Sequence, residues 1–289
     1  MIFENGAERS EAMEYCDLHT HSTYSDGTFS PSQIVAEGLR KKLRAVALTD
    51  HNTVAGLPEF LKAAEGTGLE GIPGVEISTG YRNQEVHIVG LFLRQEHYGE
   101  LERFLDVINW RKEESNRNLV AALREAGYEL SYEEIRERHQ GNVNRAVIAA
   151  ELIEKGYLTD RKEAFGGILS AKKGLYHPPE RIPAFEAIRF LRSIHAVPVL
   201  AHPYLSLTEE ELRAFLPEAK RNGLAAMETR YSTFTPQLTE AARSLASEFG
   251  LMESGGSDFH GGNKPDIQLG SGKGNLAVPY PLVRNLAGI

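Results

Sequence analysis

Asp17-Leu18-His19-Thr20-His21-Ser22 is followed closely by Tyr24-Ser25-Asp26-Gly27. Side chains two apart on a strand leave from the same face, so His19 and His21 converge. Imidazole nitrogens that converge in this way can grip one divalent metal ion. Such a pair also occurs on ordinary half-buried strands, and it is the surrounding sequence that favours a metal. Asp26, Thr49-Asp50-His51, Gly74-Val75-Glu76-Ile77, His87, Ala201-His202-Pro203 and Ser257-Asp258-Phe259-His260 each follow or close a short apolar run.

Those runs recur in a β–α rhythm. Ser30 suits an N-cap, with Pro31 at N1 and Gln33 completing a capping box. Ala45-Val46-Ala47-Leu48-Thr49 is a continuous apolar strand of the kind buried on both faces, and it ends in Asp50-His51. A helix around 57–64 follows, then strands at 69–77 with Glu76 and at 86–92 with His87. From Tyr98 to about Pro179 the sequence turns helical and richly charged, with Leu101, Phe104, Leu105 and Ile108 opening a long amphipathic helix. Strand–helix alternation then resumes, delivering His202 and later Asp258 and His260. The reading therefore divides the chain into a flexible leader at 1–14, a barrel at 15–97 and 180–289, and an inserted helical cap at 98–179.

In barrels of alternating β and α units, functional side chains collect at the C-terminal strand ends. If these strands surround one axis, the residues named above meet. His97, His139, His177 and His195 lie in or near the insertion or on a helix, and are expected to stay outside the chemistry. Imidazole and carboxylate without thiolate suit Zn²⁺, Mn²⁺ or Fe²⁺ better than a structural cysteine-rich zinc site. So large a donor set exceeds one tetrahedral ion and suits two or three, with a carboxylate such as Glu76 or Asp258 bridging a pair. Paired ions about 3.5–4 Å apart can activate water and stabilise both oxygens of a phosphoryl displacement.

The chain has 289 residues, 41% hydrophobic and 25% charged, which is ordinary for a soluble domain with a sizeable core. Acidic residues outnumber basic ones by 40 to 32, a formal charge of −8 that argues against a broad grip on a nucleic-acid backbone. Cys16 is the only cysteine, so no intrachain disulfide can form, and it reads as a buried strand residue. No signal peptide or membrane span is evident, and a cytoplasmic location with no obligate protein partner is expected.

The ordered motifs at Asp17–Ser22, Thr49–His51, Gly74–Ser78, Ala201–Pro203 and Gly256–His260 resemble those of the polymerase and histidinol phosphatase (PHP) superfamily. That resemblance implies an α/β fold, a distorted (β/α)7 TIM-like barrel with the helical insertion capping the active site. It implies up to three metal ions, held by His19, His21, Asp26, His51, Glu76, His87, His202, Asp258 and His260, with Asp50 orienting a neighbouring ligand. It also implies Arg145 and Lys173 as cap contacts to a substrate phosphate, although Val147 stands where relatives often carry histidine.

The expected function is a metal-dependent phosphoesterase with a metal-bridging hydroxide as nucleophile. Its expected partner is a small phosphorylated substrate, such as a nucleoside 3′,5′-bisphosphate or a short RNA 5′ end. A histidinol-phosphate phosphatase would share the metal set. An amidohydrolase and a non-catalytic metal-binding module are the readings from other classes. Tyr231, Tyr204 and Phe259 are candidates for stacking on a base.

Overall fold

The computed structural model describes residues 14–139, 143–172 and 174–288. The leader expected at 1–14 falls outside them except for its last residue, and so does Lys173.

Seven strands form the ring: β1 (Tyr15–Asp17), β2 (Ala45–Leu48), β3 (Glu70–Tyr81), β4 (Gln84–Leu91), β5 (Val197–Leu200), β6 (Ala226–Tyr231) and β7 (Met252–Gly256). An eighth, β8 (Val278–Pro279), lies antiparallel on β1. β1, β2 and β3 run parallel, as do β5, β6 and β7. β4 is reversed against both of its neighbours. The ring closes where the Leu18 N–H donates to the Gly255 carbonyl at 3.2 Å and where Thr20 bridges Phe259 in parallel. This is a distorted TIM-like barrel, as the resemblance implied.

The expected alternation holds except at one place. β3 and β4 are joined by a hairpin rather than a helix, so His87 reaches the site from a strand running the other way. Helices α1 (Pro31–Arg40) and α2 (Leu57–Ala64) connect the first strands. α7 (Ala184–Ser193), α8 (Pro203–Ser206), α9 (Glu209–Arg221), α10 (Pro236–Glu248) and α11 (Pro281–Ala287) accompany the later ones. The Ser30 capping box forms, and Thr208 with Glu211 makes another at the start of α9. Alternation along β2 sends Val46 and Leu48 to the cluster under the helices, and Ala45 and Ala47 to a second cluster with Cys16, Leu18 and Val199. Val283 and Leu286 of α11 join that second cluster. Burial pushes the Cys16 thiol up, and neighbouring Asp17 adds to the effect, so it stays a neutral core group.

The insertion contains α3 (Tyr98–Glu125), α4 (Tyr132–Arg138), α5 (Arg145–Glu154) and α6 (Arg161–Gly166). Its long helix belongs to two cores. Leu101, Leu105 and Ile108 pack with the barrel, whereas Leu119, Val120 and Leu123 pack with Ile135, Ile148 and Leu152. α3 thus joins the barrel to a second core, which starts about six helical turns after the change in sequence character at Tyr98. Among the described residues no helix is long and apolar enough to cross a membrane.

Closure of the ring leaves no room beside His19. A Cβ added at Gly256 would lie 2.3 Å from the His19 Cβ and 2.5 Å from its backbone nitrogen. Gly256→Ala is therefore expected to lower stability by about 1–3 kcal/mol in urea unfolding. Gly166→Ala, where a Cβ meets nothing within 4 Å, is the control and should change it far less.

Candidate metal centre

The nine residues expected as ligands are brought together at one end of the barrel. His19 and His21 stand just after β1, His51 after β2, His202 after β5, and Asp258 and His260 after β7. Glu76 and His87 sit within β3 and β4, and Asp26 comes from the loop after β1. At their centre is the Glu76 carboxylate. Its Oε1 lies 2.8 Å from His87 Nδ1 and 3.0 Å from His202 Nε2. Its Oε2 lies 3.0 Å from His51 Nδ1, 3.2 Å from His19 Nε2 and 3.3 Å from His21 Nε2. Asp258 Oδ1 lies 3.2 Å from His21 Nε2, and Asp26 Oδ1 lies 3.1 Å from His260 Nε2.

The two contacts of Glu76 Oε1 are hydrogen bonds, but several of the other atoms are not satisfied by theirs. His19 Nε2, both nitrogens of His21, His51 Nδ1, His202 Nδ1, Asp26 Oδ1 and Glu76 Oε2 are buried without a hydrogen-bond partner. Leaving so many polar atoms unsatisfied in one place is costly. Divalent cations among them remove that cost, because each orphan becomes a donor to the ion. Three overlapping groups have suitable spacing: His21, Asp26, His51 and His260; His19, His21 and Glu76; and His51, Glu76 and His87. The donor set is imidazole and carboxylate throughout, and divalent metal ions fit it.

The electrostatics agree. Burial would raise the carboxyl of Glu76, but His51, His19 and His87 hold it well below the usual range. Asp258 is held down in the same way by His21 and His19, and Asp26 by His260 and His51. Burial works against charge on His21 and His87, yet the carboxylates beside them raise both to about 9. On His51 burial prevails and pushes it down to about 4.

A further set of groups fixes the rings. His19 Nδ1–H donates to Glu228 Oε1 at 2.7 Å, and Glu228 Oε2 accepts the His202 backbone N–H at 2.6 Å. Glu85 Oε1 lies 3.3 Å from His87 Nε2, and the Asp258 carbonyl accepts from His260 Nδ1 at 2.9 Å. Tyr231 Oη and Lys264 Nζ both donate to Asp258 Oδ2 at 2.6 Å, leaving Oδ1 to face the histidines. Asp50 accepts from the Ser22 N–H and hydroxyl and from the Ser25 hydroxyl, so it holds the loop that delivers Asp26. Asp17 does the same for the far side through the Ser257 and Gly270 N–H groups. Asn52, His202 and Asp258 adopt positive φ of 51°, 27° and 56°. Backbone strain at these three site positions is held in place by that network.

Glu228, Glu85, Tyr231 and Lys264 were not expected as site-shaping groups. Glu228 had a sequence signal, a lone carboxylate directly after the apolar run Leu224–Met227. Tyr231 and Phe259 are 4% and 6% exposed, so they pack under the site rather than offering a stacking face. Arg145 lies over the Tyr176 ring at 4.0 Å in the cap, and makes no ion pair among the described residues. His97 and His195 face each other elsewhere, and His139 pairs with Glu151 in the cap.

The chain matches the PHP domain over residues 17–170 and belongs to that family. It is 31% identical to a 5′-3′ exoribonuclease of Haemophilus influenzae over 84% of this chain and 89% of that one. It is 25% identical to a 3′,5′-nucleoside bisphosphate phosphatase of Chromobacterium violaceum over 95% and 97%. A solved structure provisionally assigned as a metal-dependent phosphoesterase of Bifidobacterium adolescentis superposes with a TM-score of 0.81 at 25% identity, covering 95% and 96%. Family, fold and donor set together make this chain a metal-dependent hydrolase of phosphate esters.

Two outcomes follow. In ion-free protein the raised pKa of His21 and His87 gives stability that is present below pH 6.5 and lost as pH rises towards 9. Bound ions must displace those protons, so the thermal shift on adding Mn²⁺ should grow across that same window. Separately, Glu228→Gln should weaken ion affinity roughly 10–100-fold by calorimetry, because the amide has no charge and one acceptor oxygen for two donors, His19 Nδ1–H and the His202 N–H.

Proposed function

We infer that the chain hydrolyses phosphate esters of nucleotides, such as nucleoside 3′,5′-bisphosphates, or the 5′ ends of short RNA. The observation that carries this reading is a half-buried lysine, without a carboxylate partner among the described residues, beside an acidic metal centre. Lys112, on α3, donates from Nζ to the Ser78 hydroxyl at 3.0 Å and makes no ion pair among the described residues. Burial lowers its pKa, and the fields of Glu85, Asp26 and Glu76 act against that. Once divalent ions neutralise the site carboxylates, Lys112 is left as a cation without counter-charge. A phosphate oxygen supplies it.

The ligand set proposed is His19, His21, Asp26, His51, Glu76, His87, His202, Asp258 and His260. Bound ions, Mn²⁺, Zn²⁺ or Fe²⁺, would supply Lewis acidity towards a phosphate oxygen and lower the pKa of water. Asp50 and Asp17 keep the loops carrying the donors in place. Asn109 Nδ2 donates to the Asn52 carbonyl at 2.9 Å, and Asn52 in turn bonds Ser78, so α3 is tied to the mouth beside Lys112. From the cap, Arg145 would meet a second phosphate, its guanidinium held flat by Tyr176. Lys173, expected beside it, would add another positive charge. The names of the two enzyme relatives, one acting on RNA and one on nucleoside bisphosphates, support a nucleotide substrate.

Chelator-stripped protein resupplied with Mn²⁺, Zn²⁺, Fe²⁺ or Mg²⁺ should release phosphate or nucleotide from adenosine 3′,5′-bisphosphate or 5′-phosphorylated RNA. Histidinol phosphate should be a poor substrate, and His19→Ala should be inactive. Lys112→Met should lower kcat/KM at least tenfold while retaining its full metal content. Preference for histidinol phosphate, or an unaltered Lys112→Met enzyme, would count against the nucleotide reading.

A further inference from the structure

Beyond the site, the β3–β4 hairpin and the start of α7 enclose a cavity of about 500 Å³. Tyr81, Arg82, Gln84, Arg181 and Phe185 contribute to its lining. The two aromatic rings are backed by buried Phe215, whose ring centroid is 4.9 Å from that of Tyr81 and 5.2 Å from that of Phe185. Arg82 lies over Tyr81 at 5.1 Å and makes no ion pair among the described residues. Arg181 is held by Glu85 Oε2 at 2.9 Å, and Glu85 Oε1 meets His87 Nε2 at 3.3 Å. One carboxylate thus separates this cavity from a histidine of the metal centre. Along β3, Tyr81 stands five residues beyond Glu76, roughly 16 Å at the rise of an extended strand.

Aromatic faces, a free guanidinium and an amide beside a phosphoesterase centre form the pattern that holds single-stranded nucleic acid. Rings stack on a base of any sequence, and arginine takes the phosphate. We propose that this cavity is the subsite for a nucleotide farther along a single-stranded oligonucleotide whose terminal phosphate occupies the metal centre. The base lies against Tyr81 and Phe185, Arg82 takes its phosphate, and Arg181 keeps Glu85 on His87. This rests on the nucleotide reading above and deepens its short-RNA arm by assigning the place of a second nucleotide.

The test is binding by the ion-loaded protein, with phosphorothioate linkages in the RNA to slow turnover while keeping every charge. A fluorescein-labelled 5′-phosphorylated RNA tetramer is followed by anisotropy, with AMP as competitor. Wild-type protein should bind the tetramer at least tenfold more tightly than AMP. In Arg82→Ala that ratio should fall towards one, and the slope of log K against log salt should shrink by about 0.7, one single-strand phosphate contact. Arg82→Lys should restore the slope but only part of the affinity. A wild-type protein without tetramer preference, or an Arg82→Ala protein with an unaltered ratio and slope, overturns the subsite. Phosphate release from mononucleotides by the ion-loaded enzyme is measured beside it. Its failure with Arg82-dependent tetramer binding intact would fault the reading of the metal centre and leave the subsite standing.

Discussion

Five histidine nitrogens within 3.3 Å of one fully buried carboxylate are the constraint around which this molecule is built. One negative charge cannot balance five imidazoles that are protonated, and among neutral rings His19, whose Nδ1–H is committed to Glu228, turns a bare lone pair towards the carboxylate. Either arrangement is unstable out of water, where charges and orphaned polar atoms are hardest to tolerate. Positive charge placed between Glu76 and the rings relieves both problems at once. The same geometry explains why the site needs a closed barrel. A ring of strands brings residues as distant in sequence as His19 and His202 onto one carboxylate.

Holding that geometry requires rigidity beneath it. The Asp17 and Asp50 carboxylates are buried and tie the loops above β1, β2 and β7 through backbone N–H groups and serine hydroxyls. Burial raises the pKa of both, and those hydrogen bonds act against it. Glu228 couples His19 to the strained backbone of His202, so two donors from different strands share one brace. Gly256 permits the close approach of β7 to His19 that closes the ring. None of these groups touches the shared centre, yet each sets where a donor atom stands.

Much of this was legible in the chain. The donors lie at the ends of apolar runs because strand ends are where a barrel exposes side chains to its mouth, and period-two spacing alone aims His19 and His21 together. What was not legible depends on pairing across the sheet. Glu85 matters because it is near His87 on a reversed strand and also reaches Arg181 across 96 residues. Lys264 matters because the short 3-10 turn Gly261–Asn263 returns it to Asp258. Lys112 is one of several charges on α3, and the tie from Asn109 to Asn52 shows which way its face turns. Side-chain chemistry announces donors. Their supports follow from register, which one strand cannot specify by itself.

The single departure from β–α alternation carries the most consequence. Had a helix followed β3, the next strand would have run parallel and offered the site only residues from its C-terminal end. The hairpin instead returns the chain immediately, so His87 enters opposite Ser78 and lies beside Glu76 from the reverse direction. The same turn projects past the metal centre and brings Tyr81, Arg82 and Gln84 to the mouth. A chain with an excess of eight negative charges thereby gathers cations where a phosphate chain would pass. Local placement, rather than net charge, is what lets an acidic protein meet an anionic substrate.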